Sequence, residues 1–177
     1  MNEIGKVQPP EGYPPQEGLY LGSNDLSPVA VCMILRRTSQ EKPRGIEDLV
    51  CVRVEAGAAL SGTLQTEKIG LARLFCNIVT SRNIPHPIVC RPEWPGHLVT
   101  DAIFSLSADG VDADKRIIGR KALTTYLFNI PPKFIERFRK QVKVIDLVNE
   151  GSPEVIRGAV WACYHEEPTP FRGYMLH

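Results

Sequence analysis

The feature that most constrains this chain is Val29-Ala30-Val31-Cys32-Met33-Ile34-Leu35, an uninterrupted apolar run of strand length. A strand with one wet face alternates apolar and polar residues, whereas a run without alternation belongs to a strand covered on both faces, as in parallel sheets. A second run, Ile88-Val89-Cys90, has the same character and is opened by His86-Pro87. Between the two lies a segment with helical spacing: Ile69, Leu71, Leu74, Phe75, Ile78 and Val79 share one face, and Thr66 stands where an N-cap belongs. Strand, helix and strand in that order point to βαβ units and an α/β fold with a mostly parallel sheet and helices on both faces.

The rest of the chain fits this frame. Residues 1–26 form a proline-rich arm, with Pro9, Pro10, Pro14 and Pro15 removing ladder donors. Residues 27–165 form the domain, and 166–177 an irregular tail containing Pro168 and Pro170. Within the domain, Arg36 to Gly45 reads as a loop. Val50, Val52 and Val54 alternate with Cys51, Arg53 and Glu55, which favours a strand over 46–55, although Ile46, Leu49 and Val50 would also suit a helix. Ala56 to Thr63 reads as a loop of small residues. A helix begins near His97 and ends at Asp109-Gly110, a glycine stop. Arg116-Ile117-Ile118-Gly119 reads as a short strand and turn, and Pro131-Pro132 starts a helix carrying Phe134, Ile135 and Phe138. Val142 to Val148 is a further strand. Ser152-Pro153 opens a last helix with Val155, Ile156, Val160 and Trp161.

Composition removes several function classes. With 21 Lys and Arg against 20 Asp and Glu the net charge is +1, so no basic excess exists to follow a phosphate backbone. No uncharged apolar run approaches the ~18 residues of a membrane span, and Met1 to Lys6 has no apolar core of a secretory signal. The five cysteines, Cys32, Cys51, Cys76, Cys90 and Cys163, form no CxxC pair, which speaks against a zinc site or a disulfide framework. These features describe a reduced, cytoplasmic protein. There is no GxGxxG, no Walker lysine and no G-x-S-x-G elbow.

The chemistry-bearing candidate is His97, in Cys90-Arg91-Pro92-Glu93-Trp94-Pro95-Gly96-His97-Leu98. It follows an apolar strand and opens a helix, the place where open α/β sheets put their ligands. A structural histidine tied to a backbone carbonyl is the alternative at such a turn. His86, between two prolines, reads as structural; His165 and His177 read as solvated. Three stretches are expected to converge at the strand ends: the small-residue loop with Thr66-Glu67, the His97 turn, and Ile118-Gly119.

Ordered blocks along the chain carry a family resemblance. Gly12-Tyr13-Pro14, Ser27-Pro28-Val29-Ala30-Val31, Ala56-Gly57-Ala58-Ala59-Leu60-Ser61-Gly62, Thr66-Glu67-Lys68-Ile69-Gly70 and Gly96-His97-Leu98 come first. Gly110-Val111-Asp112, Arg116-Ile117-Ile118-Gly119, Asn129-Ile130-Pro131 and Glu136 to Val142 follow. Over residues 12 to 150 the chain resembles the corrinoid-binding A subunit of tetrahydromethanopterin S-methyltransferase. The resemblance implies a Rossmann-type domain carrying a cobamide (cobalamin) and a role in the one-carbon metabolism of methanogenesis. In that role a methyl group moves from a tetrahydropterin-type donor to cobalt, with Co(I) as the nucleophile, and on to a thiol such as coenzyme M.

The same resemblance makes His97 the cobalt ligand. Neutral imidazole suits that metal. Asp101, with Thr100 behind it, is the candidate acceptor for the second imidazole nitrogen. The implied cofactor contacts are Gly57, Ala58, Leu60, Gly62, Thr66, Glu67, Gly96, His97, Leu98, Thr100, Asp101 and Gly119. Partner subunits would bring methyl donor and acceptor.

The chain also departs from the family. Val99-Thr100 stands where the family has Thr-Gly, Lys68 replaces an asparagine, Leu64 replaces a cysteine, and residues 36–50 are longer. The family's C-terminal membrane helix is missing from this sequence, so the reading is of a free-standing homologue. A corrinoid store, chaperone or sensor, or an assembly subunit without cofactor, are the alternative readings.

Overall fold

In the computed structural model, residues 7–18, 20–22, 24–35, 46–66, 69–91, 98–121 and 126–165 are described. Strand β1 (Tyr20–Gly22) is followed by β2 (Val29–Ile34), α1 (Ile46–Glu55), β3 (Leu60–Leu64), α2 (Ile69–Thr80) and β4 (His86–Arg91). Then come α3 (Val99–Ala108), α4 (Pro132–Gln141), β5 (Ile145–Val148) and α5 (Pro153–His165). The strands form one five-stranded sheet in the order β1-β3-β2-β4-β5. All neighbours are parallel except β1, which lies antiparallel on the edge against β3.

The apolar run of β2 is central and buried at every position. Its residues alternate between two cores, as the strand period requires. Val29, Val31 and Met33 join Ile88, Cys90, Ile156, Val160 and Cys163 under α1 and α5. Ala30, Cys32 and Ile34 join Leu71, Phe75, Val89, Ile103 and Phe138 under α2, α3 and α4. Phe75 and Phe138 meet with centroids 5.0 Å apart, fixing α2 against α4.

Several local expectations are corrected. Residues 46–55 form a helix, not a strand. Because β2 and β3 run parallel, the chain must cross the sheet face between them, and a helix does this. The buried positions Val50, Arg53 and Ala56 recur every third residue, a helical interval that the valine alternation masked. The small-residue loop is shorter than expected, because Leu60–Leu64 pairs on both sides, with β1 and β2. Two ladders here outweigh the poor strand propensity of Ser61 and Gly62. Residues 116–119 make only isolated bridges, Val111 with Ile117 and Arg116 with Tyr126, and stay out of the sheet. The last strand begins at Ile145 rather than Val142. On α5, Ile156 and Val160 face the core, while Val155 and Trp161 are 45% and 59% exposed.

The proline-rich arm contributes no strand over residues 8–18, and the sheet's edge strand begins at Tyr20. Two asparagines latch the arm. Asn77 accepts from the Gln16 N–H (3.0 Å) and donates to its carbonyl (3.1 Å), and Asn83 does the same for Val7 (3.1 and 2.6 Å). Each side-chain amide thereby replaces one step of a β-ladder that the prolines cannot make.

Candidate functional site at the carboxyl ends of the strands

β2 and β4 are neighbours, yet the chain leaves them in opposite directions. From β2 it crosses by α1 to β3 on one side; from β4 it passes through α3 and α4 to β5 on the other. The carboxyl ends of β2 and β4 therefore flank the topological switch point, where the two connections part and leave a crevice. The stretch that carries Gly96 and His97 joins the end of β4 to α3. Those two residues and Glu67 lie outside the described residues.

Leu98, directly after His97, is held at φ 40° and ψ 51°, the left-handed region, and serves as the N-cap of α3 without a side-chain cap. For a branched, non-glycine residue this conformation costs about 1–2 kcal/mol. Strain of this kind persists where the surroundings over-determine the backbone, and such positions cluster at ligand sites. Its carbonyl starts the helix, accepting from the Ala102 N–H at 3.3 Å. Thr100, in the first turn, is 5% exposed.

Asp101 is the acceptor that the sequence offers to His97. Its Oδ2 accepts the Lys121 N–H at 2.9 Å and lies 4.0 Å from Arg120 Nε, whose side chain is 2% exposed. One carboxylate oxygen thus ties the segment after Gly119 to the first turn of α3. Gly119 itself, at φ 76°, sits against the far end of that helix: a Cβ there would fall 2.5 Å from Asp109 Oδ2. Its positive φ is what favours glycine, and its neighbour there is the exposed carboxylate at the C-cap of α3.

At the carboxyl end of β3, Thr66 Oγ1 accepts the Gly70 N–H at 2.8 Å and caps α2, as its position in the sequence suggests. Behind it a cavity of about 630 Å³ runs between α2 and the sheet, bordered by Leu60, Gly62 and Thr66. Ala30 lies beside Leu60 and Cys32 beside Gly62 in the β2–β3 ladder, and all four border the cavity. Three of those four residues are small, which leaves the space open. Burial, reinforced by the neighbouring Cys90 thiol, pushes the Cys32 thiol far above its ordinary range, so it acts as a small apolar group.

Gly57 and Ala58 do not join this end. They precede β3, at the amino edge of the sheet, so the expected convergence of 56–63 with the His97 turn fails for them. Gly57, at φ 104°, passes under α5: its carbonyl accepts from the Tyr164 hydroxyl, and a Cβ would lie 3.0 Å from that oxygen. Ala58 is fully buried in the core beneath α1 and α5. His86, at the amino end of β4, is 2% exposed, in keeping with its structural reading.

Sequence reasoning passed over Asn77, Arg73, Glu17 and Tyr20, which also border the cavity. Asn77 carried a signal: a polar residue 6% exposed within the apolar arc of α2. The others gave none, because their role depends on the arm crossing α2. All five cysteines are free thiols. Among the described residues no three His, Cys, Asp or Glu side chains gather as a metal site, and no helix is long and apolar enough to cross a membrane.

A family model that describes the A subunit of tetrahydromethanopterin S-methyltransferase matches residues 6–176. Methanothermobacter thermautotrophicus has two similar proteins, numbered 1 and 2, each named as an A subunit of this methyltransferase. The first is 36% identical over 169 residues, 95% of this chain and 66% of that protein. The second is 34% identical over 161 residues, 90% of this chain and 82% of that protein. The corresponding A subunit of Methanosphaera stadtmanae is 30% identical over 159 residues, 89% of this chain and 59% of that protein. The chain spans about two thirds of the length of the first of these relatives. A match over almost the whole chain, together with identity at this level, means that the chain belongs to the family of tetrahydromethanopterin S-methyltransferase A subunits.

Proposed function

We propose that this chain is a corrinoid-carrying subunit in a methyltransferase system, holding a cobamide in the crevice at the carboxyl ends of β2 and β4. One observation carries the reading. The chain enters α3 at the switch point through a strained, left-handed Leu98, and the residue before it is a histidine. When bound, the cobamide supplies a cobalt centre able to accept a methyl group from a tetrahydropterin-type donor and yield it to a thiol such as coenzyme M.

The residues at this edge suit that group. A cavity of about 630 Å³ lies beside the crevice, between α2 and the sheet. Imidazole is an apt donor to cobalt, and Gly96 leaves the backbone before His97 free of a side chain. Thr66 and Glu67 at the end of β3, with Leu98 and Thr100 on α3, would border the corrin. Asp101 holds Lys121, so its part in this reading is to fix the 120–121 segment beside the first turn of α3. Gly57 and Ala58 act through packing, Gly119 through its left-handed turn, and Leu60 and Gly62 border the cavity. The donor, the acceptor and the subunits that present them come from outside this chain.

The test is direct. Purified protein mixed with cobalamin and desalted should retain corrin absorbance at one equivalent. No retained absorbance under oxidising and reducing conditions overturns the reading. Retention without methyl turnover, once partner subunits are added, marks the chain as a store or sensor instead.

A further inference from the structure

The cavity between α2 and the sheet has the construction of a small-molecule site. Its volume, about 630 Å³, lies within the range of ligand pockets. The floor is apolar and the wall is the Leu74–Ile78 side of α2. The roof is the arm at Glu17, Gly18 and Tyr20.

The roof is held at a set height. The Gln16 carbonyl accepts from both Asn77 Nδ2 (3.1 Å) and the Tyr20 hydroxyl (3.0 Å), and Asn77 Oδ1 accepts the Gln16 N–H (3.0 Å). Tyr20 pairs with Gly62 in the β1–β3 ladder, at the position where the floor lacks a side chain. Well-made hydrogen bonds therefore keep the arm off the floor rather than letting it collapse into the space.

Two charges border the mouth. Arg73 and Glu17 are exposed, and neither side chain forms a hydrogen bond or ion pair with another described residue. They stand on opposite elements, wall and roof, above an apolar interior. This combination takes an amphipathic guest whose anionic group meets the guanidinium and whose N–H or O–H meets the carboxylate.

We propose that this cavity is a second binding site, for a small organic anion with a fused-ring or similarly flat apolar body and one hydrogen-bond donor. Arg73 holds the anionic group, Glu17 accepts the donor, and Asn77 is a positioning residue that sets the roof through Gln16. The proposal does not rest on the corrinoid reading, and Thr66 is the residue that borders both the cavity and the proposed corrin edge.

The probe is 8-anilinonaphthalene-1-sulfonate, which carries a sulfonate, an N–H and a fused ring. Fluorescence titration of the full chain should show one saturable site per molecule. Arg73→Gln, an exposed change that leaves the core alone, should weaken it about five- to tenfold. Leu74→Trp, which fills the cavity, should abolish it, and thermal melts should show both variants folded. Saturating cyanocobalamin should leave the titration unchanged. A titration indifferent to both substitutions would place the dye elsewhere, for example on the exposed, stacked Tyr126 and Phe128, and overturn the proposal. Displacement of the dye by cyanocobalamin would assign the cavity to the corrinoid and overturn its independence. A chain that binds the dye in this pattern but retains no cobalamin would sink the corrinoid reading alone.

Discussion

Replacing Gln141 with leucine tests how α4 holds the sheet in place. Gln141 is 5% exposed, and its Nε2 reaches three carbonyls where α2 ends and the chain turns into β4: Ser81 at 2.7 Å, Ile84 at 3.1 Å and Ile78 at 3.3 Å. An amide nitrogen has two protons, so the two shorter bonds dominate and the third is a shared contact. Each buried carbonyl orphaned by Gln141→Leu costs about 1–2 kcal/mol. Loss of Oε1, which is buried without a partner, returns about 1 kcal/mol of desolvation. The net expectation is a loss of about 1–3 kcal/mol, or roughly 2–12 °C in melting temperature for a chain of this length. Urea unfolding followed by circular dichroism should show the midpoint fall with the slope unchanged. Gln141→Glu should be worse at neutral pH, because a carboxylate then faces three carbonyls. Its deficit should shrink on acidification, as the protonated carboxyl regains one donor. A loss below about 1 kcal/mol for the leucine variant, with no pH dependence for the glutamate variant, would refute the reasoning.

If His97 ligates cobalt, the Co(II) state should show axial nitrogen hyperfine structure that changes on labelling histidine with nitrogen-15. His97→Ala should shift the visible spectrum while leaving the melting temperature within about 2 °C; an unchanged splitting on labelling removes His97 as the ligand. Gly57→Ala places a side chain at φ 104° and within 3.0 Å of the Tyr164 hydroxyl, so it should destabilise by about 1–3 kcal/mol without altering cobalamin retention. Weakened cobalamin binding in a stably folded Gly57→Ala protein would return Gly57 to the cofactor site. Stability should decline in alkali. Burial raises the Cys32 thiol above its ordinary 9.0 and the Tyr13 hydroxyl above its ordinary 10.0. The folded state keeps those protons where the unfolded chain loses them, so unfolding is favoured as pH climbs past 9 and again past 10. A flat profile between pH 8 and 11 would contradict this.

Much of the architecture was legible because it rests on short-range rules. A continuous apolar run of strand length is what a strand covered on both faces requires, and β2 is one. Thr66, Gly110 and Pro132 mark helix ends through their own backbone and side-chain chemistry, and α2, α3 and α4 begin or stop accordingly. The family, too, is written in ordered residue blocks. What stayed illegible depended on which segment becomes whose neighbour. Residues 46–55 carry both periods, and the parallel pairing of β2 with β3, a contact made across the sheet, chose the helix. Ser61 and Gly62 are poor strand residues that become a strand because a ladder forms on each side. Gly57 and Gly62 look alike in sequence, yet one lies at the amino edge under Tyr164 and the other beside a cavity near the carboxyl edge. The sequence by itself determined the fold class, the family and the caps of several helices. The tertiary structure alone decided that Asp101 holds Lys121, that Gln141 closes the end of α2, and that Asn77 carries the arm over a cavity. The reason is physical: caps and periodicity act over a few residues, while these contacts join residues 20 to 63 positions apart, and only the folded sheet brings them together.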